Sequence, residues 1–170
     1  MGTAANQGRA RDMKARAIRI PRDALILNPE RIARAVENGM QAAAEGVRAD
    51  FYATTNTWER GVSFTISRPG AFRRIIGTDD EIWTMLNQGT KPHLIYPRRA
   101  KALAFATGGR AKTKPRVLGS SAGSQGSTFV TTRGPVQHPG TKAREWDTTA
   151  QKKWQQELAT VVQRSVDSEV

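Results

Sequence analysis

The sequence predicts an α+β fold: an antiparallel sheet packed by a long N-terminal helix and a C-terminal helix, with a long flexible basic loop. Three observations predict it. A segment near each end of the chain repeats apolar residues at three- and four-residue steps. The middle holds short alternating runs punctuated by Pro and Gly, the pattern of hairpins. No segment reads as a strand–helix–strand crossover of the kind a parallel sheet requires.

Residues 1–15 read as a flexible basic arm, and 16–170 as a single domain of ordinary size. Ala17 to Ile20 has the pattern of a short strand, limited by Pro21. Asn28, Pro29 and Glu30 form a helix start: a capping side chain, a proline at the first helical position, and an acid at the positive end of the dipole. Ile32, Val36, Met40, Ala43, Val47 and Phe51 then make one apolar stripe, so the helix is expected from Pro29 to about Ala53. Gly39 and Gly46 either weaken it or admit a neighbour closely.

Val62, Phe64 and Ile66 alternate with Ser63, Thr65 and Ser67 as in a half-buried strand. Pro69-Gly70 predicts a turn into a second strand over Ala71 to Ile76. Asp79 or Asp80 caps a short helix with Ile82, Trp83, Met85 and Leu86, which Gly89 ends. His93–Tyr96, Lys101–Ala106 and Thr128–Thr132 are strand candidates, and 107–127 is a long mobile loop or an extended hairpin tip. A last helix starts near Asp147 or Thr148, with Trp146, Ala150, Trp154, Leu158, Val161 and Val162 on one face. Trp83 and Trp154 are expected in the core, whereas Trp146 suits either core or interface.

Charge is the other strong signal. The net charge of +12 is concentrated, because no acidic residue lies between Glu81 and Glu145. That interval carries Lys91, Arg98, Arg99, Lys101, Arg110, Lys112, Lys114, Arg116, Arg133, Lys142 and Arg144. Such a field attracts nucleic acid or an acidic protein surface. Arg98, Arg99, Lys101, Arg110, Lys112, Lys114 and Arg116 are the candidate interaction residues. Tyr96 and Phe105 among them resemble a stacking platform, although edge strands also carry cations to block unwanted pairing.

Catalytic chemistry is poorly represented. The chain lacks cysteine, and it has two histidines, His93 and His138, each beside a proline. Asp79-Asp80 reads more simply as a helix cap than as an acid–base pair. The Gly-Ser run 119–124 lacks the Gly-Lys-Ser/Thr ending of a nucleotide loop, and neither a serine elbow nor a zinc-binding HExxH is present. These residues point to a non-enzyme with no catalytic, cofactor or metal site. No run is apolar enough for a membrane span, and the first fifteen residues do not have the pattern of a signal peptide.

Two segments carry a family resemblance. The first is Ile82-Trp83-Thr84-Met85-Leu86-Asn87-Gln88-Gly89-Thr90, continuing through Lys91-Pro92-His93 to Pro97-Arg98-Arg99-Ala100-Lys101-Ala102-Leu103-Ala104-Phe105. The second is His138-Pro139-Gly140-Thr141-Lys142-Ala143-Arg144-Glu145-Trp146 before the last helix. Together they resemble the tail-completion, or neck, proteins of long-tailed siphophages. Gln88 stands where members of that family often carry a carboxylate. The resemblance implies that Trp83, Gly89, Thr90, His138, Pro139, Gly140, Thr141, Lys142 and Trp146 are scaffold residues. It also implies a homo-oligomeric ring, six copies, in the virion neck, made in the host bacterial cytoplasm. Its neighbours would be the head-completion connector and the tail terminator or tail tube, with genomic DNA in the channel. A tail terminator capping the tube is the nearest alternative, and a nucleic-acid-binding protein using 91–116 is the alternative of another class.

Overall fold

The computed structural model describes residues 18, 28–98 and 100–169. The expected basic arm, nearly all of the expected strand at 17–20, and Arg99 lie outside the described residues. The chain is α+β, in the order α1 (Pro29–Thr55), β1 (Thr65–Gly70), β2 (Arg73–Gly77), α2 (Glu81–Gln88), β3 (His93–Ile95), β4 (Leu103–Thr107), β5 (Thr128–Thr132), β6 (Val136–His138) and α3 (Trp146–Glu169).

α1 begins as its sequence requires. The Asn28 side chain accepts from the amides of Glu30 and Arg31, at 3.0 and 3.3 Å, with Pro29 next in line. α1 and α3 lie against each other in opposite directions: Arg31 at the start of α1 donates to the carbonyl of Glu169 at the end of α3 (2.6 Å). The seam on α1 is made of small residues. Ala35, Gly39 and Ala43 are buried, whereas Val36, Met40 and Val47 of the expected stripe are half-buried. Gly39 and Gly46 therefore serve close approach. A β-carbon on Gly39 would lie 2.7 Å from the Val162 Cα, and one on Gly46 would meet the Trp154 ring. Trp154 is half-buried there, its indole N–H donating to Asp50 at 2.8 Å.

This seam yields an expected result whose sign is opposite to helix propensity. Gly39→Ala gains roughly 1 kcal/mol in propensity, but it drives a methyl into the backbone of the partner helix, an overpacking that costs about 1–3 kcal/mol. The variant should be less stable than wild type in urea unfolding, and a more stable variant would show that the helices separate freely.

The core lies at the α2 end of this helix pair. Phe51, Val62, Phe64, Trp83, Trp146 and Ala150 form it. Val62 and Phe64 alternate inward as expected, but the ladder starts only at Thr65, because the Phe64 amide donates to the Tyr52 hydroxyl (3.4 Å) rather than to β2. The turn is displaced from Pro69-Gly70 to the two residues after it, with an irregular register between Ser67 and Gly70. Pro69 has no amide hydrogen to offer a regular ladder. Arg74 clamps this hairpin to α1, its Nε donating to Gln41 at 2.8 Å.

Among the described residues the strands pair antiparallel, as expected, but as three two-stranded ladders, β1–β2, β3–β6 and β4–β5. β6 had no counterpart among the expected strands, since Pro135 and Pro139 confine it to three residues. β3 leads into β4 and β5 into β6, so the last four strands are one long antiparallel ribbon interrupted at 96–102 and 133–135.

Candidate interaction surface

The ribbon is fastened at both ends. At its base, Thr90 and Thr141 exchange backbone hydrogen bonds of 2.9 and 3.1 Å, and the Thr141 amide also donates to the Thr90 hydroxyl (2.9 Å). Gly140, at φ 84°, occupies a backbone region that L side chains rarely adopt, and a β-carbon there would meet the Thr90 carbonyl at 2.2 Å. Gly89, at φ 77°, ends α2 as its sequence predicts. His93 and His138 face each other across the ladder, with ring centroids 5.0 Å apart. Each His Nδ1 is engaged locally, with the Lys91 carbonyl and the Gly140 amide respectively.

Beyond Lys142 the chain locks onto α2. The amides of Arg144 and Glu145 donate to the carbonyls of Leu86 and Asn87, both at 3.0 Å. The Asn87 side-chain oxygen then accepts from the amide of Trp146 (2.7 Å) and from that of Asp147 (3.3 Å). Asn87 therefore caps α3 from another element, a role no local pattern announced. Trp146 is fully buried and stacks on Trp83 with centroids 4.5 Å apart, which places it in the core.

Of the two forms expected at 107–127, a mobile loop or an extended hairpin tip, the far end takes the second. It is a hairpin tip docked on the C-terminal end of α1. The Gly119 amide donates to the Thr54 hydroxyl (2.8 Å), Ser120 to Asn56 (2.6 Å) and Lys112 Nζ to the Thr57 carbonyl (2.9 Å). Leu118 packs on the core and Thr113 is buried. Arg116 pairs with Glu145 through its Nε at 2.6 Å and donates its backbone amide to Arg144.

The candidate cations therefore fall into two groups. Lys112 and Arg116 are engaged within the chain, holding the tip. Arg98, Lys101, Arg110 and Lys114 are exposed and, among the described residues, form no ion pair; the same holds for Lys91, Arg133 and Lys142. Between the two fastened ends the ribbon is apolar and open. Phe129 is 72% exposed and Tyr96 57%, with Leu94, Ile95, Phe105 and Val130 also exposed.

The Arg116–Glu145 pair gives the tip a pH dependence. Its hydrogen bond with Arg116 holds the Glu145 carboxyl below its ordinary range, and the same bond raises Arg116. A carboxyl depressed in the folded state contributes above its unfolded pKa, and that contribution is lost as pH falls through the depressed value. The tip should thus be fully attached at neutral pH and loosen in acid below the ordinary carboxylate range. Glu145→Gln should remove that acid-side change in hydrogen-exchange protection of 110–124, and an unaltered pH profile would assign the change to another group.

A cleft of about 370 Å³ lies beside the core, with Phe51, Trp83 and Trp154 among its walls and Thr78, Asn87 and Asp147 among its polar lining. Among the described residues no group of three His, Cys, Asp or Glu is placed to hold a metal, and no helix is long and apolar enough to cross a membrane. Comparison with protein families, with curated proteins and with solved structures gives no match.

Proposed function

We propose that this chain is a structural subunit of a long-tailed phage neck, of the tail-completion type, which acts as a scaffold and not as an enzyme. In this reading, copies form a ring, six in number, between the portal-side connector and the tail tube, and join the completed tail to the DNA-filled head. The observation that supports it is the fusion of the two resemblance segments into one unit. Residues 82–90 and 138–146 are distant in sequence, yet they meet through the Thr90–Thr141 bridge, the Asn87 cap and the Trp83–Trp146 stack. That construction is a scaffold for orienting a ribbon and a helix.

Mass spectrometry of purified virions tests the proposal. A few copies per particle are expected, and absence from intact virions would overturn it. Density in a neck reconstruction separates tail completion from the neighbouring assignment, a terminator capping the tube.

One observation favours a second reading, nucleic-acid binding. Exposed Tyr96 and Phe129 lie on a ribbon whose flanking cations are unpaired within the described residues. Duplex and single-strand affinities measured against salt decide it: a steep log–log slope supports phosphate contacts, whether to channel DNA or elsewhere, and a flat one refutes them.

A further inference from the structure

We propose that copies of this chain join head to tail, the exposed ribbon of one copy seating on the outer face of α2 in the next; this rests on reading the chain as an assembling subunit.

The ribbon needs a partner. Two-stranded ladders are marginal in water unless a further layer covers them. The register places Phe105 opposite Val130 on one side of β4–β5 and Phe129 opposite Ala106 on the other. Apolar side chains therefore project from both sides, and Phe105, Phe129 and Val130 are all exposed. Among the described residues, ladder pairing also leaves one edge of β4 and one of β5 without a strand neighbour, and an open edge is a template for association.

The chain carries a second exposed apolar face of different character. Ile82 and Met85 lie one turn apart on α2, opposite the buried Trp83 and Asn87. Asp79 and Glu81 border them, both exposed and in no ion pair among the described residues. Asp80, between them, is committed to Arg60 and to the α2 cap.

The two faces match in charge. Lys91, Arg98, Lys101 and Arg133 flank the ribbon strands, and carboxylates flank the α2 face. Each has an apolar centre with a polar rim, the usual anatomy of a protein interface. Ribbon against ribbon would set cations against cations, and α2 against α2 acids against acids. The complementary arrangement uses one of each, a heterologous contact that generates a closed ring when its rotation closes.

Charge reversal provides the test, read by sedimentation of the purified full chain. Wild type is expected to associate with rising concentration. A ribbon variant, Lys101→Glu with Arg133→Glu, and an α2 variant, Asp79→Lys with Glu81→Lys, should each associate at least about tenfold more weakly. Mixed one to one they should assemble again, because each acidic ribbon now meets a basic α2 face and each basic ribbon an acidic one. Circular dichroism verifies that both variants fold, and Ile82→Ser with Met85→Ser provides an uncharged disruption of the α2 face should the lysines unfold it. An α2 variant that associates like wild type, a mixture that fails to assemble, or a wild-type chain that stays monomeric at every concentration overturns the proposal. None of these results bears on presence in virions, so the contact and the neck assignment fail separately.

Discussion

Trp146→Ala should lower the stability of the chain by about 3–5 kcal/mol, the range for truncating a large buried aromatic. The residue has no solvent exposure and joins three parts of the molecule. Its ring stacks on Trp83 from α2, lies 6.3 Å from Trp58 beyond α1, and belongs to the cluster that includes Phe51 and Phe64. Truncation leaves a cavity walled by rigid rings that collapse poorly, which puts the loss toward the upper end. Among the described residues, the indole N–H has no hydrogen-bond partner in its buried site. Trp146→Phe therefore forfeits volume and no hydrogen bond, and its loss should be clearly smaller. Urea unfolding of the two variants checks this ordering. Equal losses would mean that the indole N–H matters and that an acceptor reaches it in solution.

The same residue shows how far the sequence was legible. Its apolar character and helical spacing placed it on the α3 face, but whether that face met core or partner depended on where α2 lies. Local patterns succeeded wherever one element decides its own structure. Asn28-Pro29 started α1, Asp80 capped α2, Gly89 ended it, and Val62 and Phe64 alternated inward. They fell short where distant segments decide. β6 exists because His138, Gln137 and Val136 find His93, Leu94 and Ile95. The 107–127 segment reads as linker because its glycines and serines look permissive. In the structure Gly126 is instead required by close packing, since a β-carbon would lie 2.1 Å from the Thr107 carbonyl oxygen. Of the basic candidates, sequence identified the field but could not separate Lys112 and Arg116, engaged within the chain, from Arg98, Lys101, Arg110 and Lys114, which form no ion pair among the described residues.

Asn87→Ala should cost about 2–3 kcal/mol, well above a typical surface substitution, because it removes a cap inside the core. The residue that precedes α3, Glu145, has φ 54° and is not in the extended conformation of an ordinary N-cap. The cap comes instead from Asn87 across the α2–α3 junction. Alanine leaves the amide of the fully buried Trp146 without an acceptor, and an unsatisfied buried donor costs its full desolvation. Asn87→Asp keeps the acceptor and adds negative charge at a helix N-terminus, which the helix dipole favours. It should recover a substantial part of the loss. Two features distinguish this account from simple loss of packing. Aspartate should outperform alanine, and the alanine variant should lose hydrogen-exchange protection first at the α2–α3 junction, while the α1–α3 seam around Gly39 and Val162 stays protected. A variant pair with equal stability, or protection lost evenly along α3, would place the importance of Asn87 in its volume and not in its oxygen.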